Sequence, residues 1–356
     1  MPTTVPPSGE QATALQLESW IKAQAYALGF DLVGIAELGP ADSGGHLDAW
    51  LAAGYAGEME YMARNADKRR DSRRPVPGTI SAVVVALNYG GTAPSGPIAR
   101  YARGDDYHDV MLAKLRELHR QLAERVGREI HGKPYVDTGP VLERELARRA
   151  GLGWFGKNAN LINPQLGSYF FIGSLFTDLA LQPDAPFDED RCGTCTRCLE
   201  ECPTDAFVEP RVLDSRKCIS YLTIELRGDI PEELRAPIGD RIYGCDVCQE
   251  VCPWNIRFSK DLTEPALAPR EENISPDPAE FVRLSVEEFR IRFRRSAIKR
   301  TKRRGLARNA AVVLGNDVRA ENTGPLSQAL EDPEPLVREH ARWAIAKRAA
   351  GLTPRA

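Results

Sequence analysis

The chain of 356 residues is 42% hydrophobic and 27% charged, enough apolar content for more than one packed core, which excludes disorder as its general state. Its 47 basic and 50 acidic residues leave a net charge of -3, so whole-molecule polyelectrolyte binding is excluded and any nucleic-acid contact must be local. No apolar run approaches the eighteen or so residues of a membrane span, and Met1-Pro-Thr-Thr-Val-Pro-Pro lacks the basic and apolar regions of a secretory signal, so a cytoplasmic protein with no membrane partner is expected.

After this proline-rich start, Ala12 to Leu28 carries Leu17, Trp20, Ile21, Ala25 and Leu28 at helical spacing, and Phe30 to Ile35 reads as a strand. Ile80 to Leu87 is a run suited to a buried strand, Val110 to Val126 an amphipathic helix, and Gly167 to Leu181 a further strand stretch. Residues 10–183 are therefore expected to form an α/β domain. A composition change at Gln182 opens a cysteine-bearing unit, 184–264, and the proline-rich stretch Pro265 to Pro278 separates it from a helical unit, 279–350. In that last unit two small-residue helices, around Ala310 and Ala341, align at a period of 31 residues and resemble HEAT repeats. Two copies cannot make a stable solenoid alone, so the tail should pack on what precedes it. Between Arg290 and Arg308 lie ten basic and no acidic residues, a local charge of +10 and a candidate RNA surface.

All eight cysteines fall between Cys192 and Cys252, which in a cytosolic chain points to metal rather than disulfides. Cys192-x2-Cys195-x2-Cys198-x3-Cys202-Pro203 has the bacterial ferredoxin spacing, in which three thiolates grip one cuboidal cluster and the fourth reaches to another. Cys245-x2-Cys248-x3-Cys252-Pro253 repeats the last three positions; its first would be Ile242, which cannot ligate iron, and Cys218 fills the vacancy. The crossed pattern gives one 4Fe-4S cluster on Cys192, Cys195, Cys198 and Cys252, and a second on Cys202, Cys218, Cys245 and Cys248. Two structural zinc sites are the competing reading, but zinc ribbons use separated cysteine pairs.

The α/β domain should hold the acceptor for such a relay. It has no Walker A loop, and Gly151-Leu-Gly-Trp-Phe-Gly follows a charged helical stretch, so it reads as a turn rather than a dinucleotide site. Asp106-x-His108-x-x-Met111 approaches a cobalt-ligating D-x-H-x-x-G element without its glycine, and His108 is read as a structural or surface histidine.

Taken together, Arg100-Tyr-Ala-Arg-Gly-Asp-Asp-Tyr-His, Val136-Asp-Thr-Gly-Pro, Ala150-Gly-Leu-Gly-Trp-Phe-Gly-Lys-Asn, Asn163-Pro-Gln-Leu-Gly-Ser and the cysteine runs resemble the epoxyqueuosine reductase family over about residues 15–350. The resemblance implies an α/β + α architecture: a nitroreductase-like cobalamin-binding domain, a bicluster ferredoxin-like module and C-terminal HEAT-like repeats. It implies a two-electron deoxygenation of an epoxide on the wobble base of tRNA, with low-valent cobalt attacking the ring or passing electrons to it.

By the same resemblance Asp137 is the proton donor, with its pKa raised by an apolar surrounding; the alternative is that it caps the turn or the next helix. The cobalamin pocket is carried over to Arg100, Tyr101, Asp137, Lys157, Asn158, Leu161, Ile172, Ser220 and Tyr243, with no strong protein ligand to cobalt. Lys302, Arg303 and Arg304 are the expected tRNA contacts, with Arg216, Lys217 and Arg241 as the alternative surface. An unidentified reductant protein and a monomeric state complete the expectation. The competing functions are a reductive dehalogenase-like corrinoid enzyme and a non-enzymatic iron-sulfur electron-transfer or RNA-binding protein.

Overall fold

A computed structural model describes residues 9–41, 45–317 and 323–351; the proline-rich start, residues 1–8, lies outside them. Four strands, β1 (Leu32–Glu37), β2 (Ser81–Asn88), β3 (Gly132–Tyr135) and β6 (Phe170–Thr177), form an antiparallel sheet in the order β1-β2-β6-β3. Strands β4 (Trp154–Phe155) and β5 (Leu161–Ile162) make a separate hairpin within the glycine-rich Gly151 segment. The strands anticipated from composition are present with ends shifted by a few residues, β3 ends where the Tyr135-Val-Asp137 segment reads as a strand end entering a turn, and β4 and β5 are too short to announce themselves.

β2 is buried along its whole length because the sheet is covered on both faces. Val83, Val85 and Leu87 point into one core, Ala82, Val84 and Ala86 into the other. The first core holds the Tyr107–Val126 helix, whose Tyr107, Met111, Leu115, Leu118 and Leu122 form one apolar stripe, each fully buried Leu or Met contributing roughly 1.5–3 kcal/mol. Asp106 caps this helix, accepting the His108 backbone N–H at 3.2 Å. A methyl group on Gly173 of β6 would come within 3.0–3.3 Å of Met111, Leu115 and Val136, so the glycine lets the helix lie directly on the strand. The second core takes the short Glu143–Arg149 helix through Leu146 and Ala147.

The tail does pack on what precedes it. One continuous apolar core runs from Ile21 through the sheet to Leu306, Ala310, Ala341 and Ala344. The Lys302–Asn316 helix lies against the Pro335–Gly351 helix, with Gly315 so close to Ala344 that a Cβ would sit 2.7 Å from its Cα. The segment after Pro265 is no free linker: Leu267 and Asn273 are buried, and Arg270 binds Asp105 at 2.8 Å. Among the described residues no helix is long and apolar enough to cross a membrane.

Candidate active site

A cleft of about 2610 Å³ opens where the α/β part, the cysteine segment and the tail meet. Tyr101, Tyr107, His108, Asp137, Leu161, Phe171 and Ile172 line it from the α/β side; Ser220 and Tyr243 come from the cysteine segment. Cys202, Cys218, Cys245 and Cys248 also line it, whereas Cys192, Cys195, Cys198 and Cys252 do not. Burial and the nearness of Cys218 and Cys245 push the Cys248 thiol up; burial and the nearness of Cys192, Cys252 and Cys195 push Cys198 up to about 11. The eight thiols thus fall into a group of four that lines the cleft and a group of four that does not. Among the described residues no group of three or more closes around a single metal ion.

Asp137 is the second residue of the loop after β3 and sits at φ 57, a left-handed conformation that aspartate tolerates better than most residues. This geometry turns its carboxylate into the cleft, where the side chain is 63% exposed. It accepts a hydrogen bond from the Tyr107 hydroxyl at 2.7 Å, and its Oδ2 lies 3.4 Å from His108 Nε2. Tyr107 is held flat between Phe171 and His108, both rings stacked on it at 4.0 Å between centroids. Asp137 therefore serves neither as a turn cap nor as a cap for the next helix, which begins at Glu143 behind Leu142.

The charge balance differs from the expectation of a raised Asp137. Burial works to raise its carboxyl, but the close approach of His108 and the hydrogen bond from Tyr107 outweigh it and hold the group below the ordinary carboxylate range. Glu143, which accepts the Asp137 backbone N–H at 2.7 Å, is instead pushed up to about 8, by burial first and then by the charge of Asp137. Burial works against a charged His108, yet its bonds to Asp106 and Asp137 prevail and raise it to about 9. His108 thus lines the cleft with its two ring nitrogens facing Asp106 and Asp137. Asp106-x-His108 was the available signal; nothing in the spacing marked Glu143.

Two of the carried-over pocket residues, Arg100 and Lys157, sit elsewhere. Arg100 does not line the cleft: it is 8% exposed and pairs with Asp246 at 3.1 Å and Glu250 at 2.7 Å, binding the Cys245–Cys252 segment to the α/β part. Lys157 donates to the carbonyls of Gly193 and Cys195 at 2.7 and 3.0 Å and so orders the first cysteine loop. Asn158 does line the cleft and also donates to the Cys248 carbonyl at 3.2 Å.

The basic run is sorted by its partners. Arg308 is fully buried, Arg300 pairs with Glu225, Lys299 reaches Asp106 at 2.6 Å, and Arg292 reaches Glu280 at 2.9 Å. Arg303, expected at the RNA surface, is turned inward: it pairs with Asp332 at 2.7 Å, donates to the Leu284 carbonyl, and is only 11% exposed. Lys302, Arg304 and Arg294 are exposed on the cleft rim, with no ion pair recorded among the described residues. Lys302 sits at φ 63, ψ 165, a backbone region costly to any residue but glycine. Arg216, Lys217 and Arg241 do not line the cleft; Arg216 is held by Asp214 and lies over Tyr55.

Four thiols and a carboxylate with its hydrogen-bonding neighbours lining one cleft fit an iron-sulfur oxidoreductase. The family model described as "4Fe-4S double cluster binding domain" matches residues 191–255, and the one described as "Epoxyqueuosine reductase QueG, DUF1730" matches residues 69–138. An epoxyqueuosine reductase of Pseudomonas aeruginosa is 42% identical over 347 residues, covering 93% of this chain and 94% of its own; that of Escherichia coli K12 is 41% identical, covering 93% and 89%. A crystal structure of epoxyqueuosine reductase with an epoxyqueuosine-modified tRNA stem loop superposes with TM-score 0.87 at 34% identity, covering 94% of this chain and 91% of that one. The chain belongs to the epoxyqueuosine reductase family.

Proposed function

We propose that this chain reduces epoxyqueuosine at the wobble position of tRNA to queuosine, with two 4Fe-4S clusters and cobalamin as its cofactors. The observation that carries the reading is the cleft itself, where four thiols, the Asp137 carboxylate and an exposed basic rim face one space. Cys202, Cys218, Cys245 and Cys248 hold the cluster that adjoins the cleft; Cys192, Cys195, Cys198 and Cys252 hold the cluster behind it, where an external reductant protein delivers electrons. An all-thiolate donor set, in groups of four, suits iron-sulfur clusters.

Cobalamin, when bound in the cleft, supplies a low-valent metal able to deliver two electrons to an epoxide carbon. The cleft suits it in size and in its aromatic and aliphatic lining of Tyr101, Leu161, Phe171, Ile172 and Tyr243. His108 has both ring nitrogens facing carboxylates, which leaves it unsuited to ligate cobalt and agrees with a cofactor lacking a strong protein ligand. Tyr107 orients Asp137, and Asp137 carries a proton to the departing epoxide oxygen. Lys302, Arg304 and Arg294 hold phosphates while the modified base leaves its stack to enter the cleft.

The same reading divides the chain into a nitroreductase-like unit, 10–183, a bicluster unit, 184–264, and a HEAT-like unit, 279–350, working as a cytoplasmic monomer. The full burial of both Ala310 and Ala341 supports the helical pairing of the last. Anaerobically reconstituted protein given cobalamin, a reductant and epoxyqueuosine-bearing tRNA should yield queuosine on nucleoside analysis. Unchanged epoxyqueuosine, with both clusters and cobalamin in place, sinks the reading.

A further inference from the structure

Asp137 is poorly placed to keep a proton of its own. It accepts from Tyr107 and faces His108, and both contacts favour its ionised form. Removing an epoxide oxygen as water nevertheless consumes two protons per turnover, so a neighbour must hold what Asp137 hands on.

The neighbour is built into the start of the Tyr107–Val126 helix. His108 Nδ1 lies 2.7 Å from Asp106 Oδ1, and its Nε2 lies 3.4 Å from Asp137 Oδ2, so a single imidazole bridges two carboxylates. The Nε2 atom is buried and has no hydrogen-bond partner of ordinary length, which leaves its proton aimed only at Asp137. Asp106 is itself 2% exposed and is fixed on three sides. Its Oδ2 meets Lys299 Nζ at 2.6 Å, its backbone N–H donates to the Arg295 carbonyl at 2.8 Å, and its Oδ1 also accepts the His108 backbone N–H. An aspartate held that way stays ionised, fixes the ring's orientation and favours the imidazolium. From the other elements, Glu143, Arg144 and Arg300 act on Asp137 and Tyr107 stacks on the imidazole; none of them touches the His108–Asp106 bond.

We infer that His108, oriented by Asp106, is the proton reservoir behind Asp137: a positioning residue that recharges the acid rather than touching the substrate. The inference rests on the epoxide-reduction reading. In each transfer the Asp137 O–H bond breaks toward the epoxide oxygen, the His108 Nε2–H bond breaks toward Asp137, and the neutral imidazole regains a proton from solvent. No electrons move among these groups; both come from the clusters. The relay runs twice per turnover, once for each proton of the water released.

The test uses cluster-loaded protein and two variants, His108→Gln and Asp106→Asn. With isotope-labelled histidine, five histidines give a tractable NMR titration. One resonance should titrate near 9, vanish in His108→Gln, and move toward the ordinary value near 6.5 in Asp106→Asn. In the wild-type enzyme with cobalamin, turnover should fall as pH rises through about 9. In Asp106→Asn that limb should move down by one to two pH units, and His108→Gln should lose roughly 10²-fold in kcat with tRNA affinity, cluster content and cobalamin uptake unchanged. A His108 resonance titrating at the ordinary value, or a His108→Gln enzyme with wild-type kcat and pH profile, overturns the inference. A wild-type protein inactive on epoxyqueuosine-bearing tRNA refutes the functional reading instead, and the titration still decides the state of the pair.

Discussion

Arg308 places its guanidinium 2.6 Å from the carbonyl oxygen of Leu222, so the longest-buried helix of the tail is tied to the short helix that begins just after Cys218. Further bonds run to the carbonyls of Leu226 and Gly228, and Asn309 adds bonds to those of Thr223 and Ile242. The arginine is fully buried and, among the described residues, pairs with no carboxylate; its charge is satisfied by the Asn309 side-chain oxygen and by backbone oxygens at the end of a helix, where the dipole favours it. The tail and the cysteine-bearing segment are therefore one mechanical unit.

Replacing Arg308 with methionine should destabilise that junction by about 3 kcal/mol, because several carbonyls lose a charged donor while remaining buried. Urea unfolding measures the loss, and faster bleaching of the iron-sulfur absorbance in air should accompany it. A variant as stable as the wild type would show the junction to be held by apolar packing alone.

Asp137→Asn keeps the shape of the loop but removes the transferable proton. Turnover should fall by roughly 10²–10⁴-fold, with iron content and cobalamin uptake unchanged. Full activity in this variant removes the acid assignment.

The basic residues of the tail should separate into two kinds by mutation. Lys302→Ala with Arg304→Ala should weaken tRNA binding and lower the log–log salt slope by about one per charge removed, leaving stability near wild type. Arg303→Ala should do the opposite, costing about 3–5 kcal/mol of stability by stranding the buried Asp332. Equal effects on RNA affinity from all three positions would contradict the inward placement of Arg303.

His340 offers a pH test of the tail. It is fully buried, its Nδ1 lies 2.8 Å from the Leu336 carbonyl, and its Nε2 accepts the Ile230 backbone N–H at 3.2 Å, a pattern only the neutral ring can make. Burial pushes its pKa down to about 3 from an ordinary 6.5. The stabilisation is present above the unfolded value and drains as pH falls from about 6.5 toward 3, at up to about 1.4 kcal/mol per pH unit. Tm should drop more steeply below pH 6 in the wild type than in His340→Gln; parallel curves would assign the acid sensitivity elsewhere.

Legibility from sequence varied with the range of the interaction involved. β2 was visible as a strand because its apolar run is continuous, but that it divides two cores depends on a helix from Tyr107 and another from Glu143 arriving on opposite faces. Arg100 and Lys157 stood in recognisable motifs, yet the carboxylates and carbonyls that claim them lie 146 and 36 residues away. His108 looked unremarkable because its partner Asp137 reaches it only when β3 is laid beside β6.

By itself the order of residues determined that seven cysteines at ferredoxin spacing, with Cys218 as the eighth, would gather iron, because most ligands of a cuboidal cluster lie a few residues apart and local spacing limits their geometry. It also determined that ten positive charges would collect between Arg290 and Arg308. Only the tertiary structure decided which of those charges face the cleft, which four thiols line it, and that His108 lies between Asp106 and Asp137. A side chain's protonation and availability follow from the partners and burial it meets across the fold, and those are set by contacts far apart along the chain.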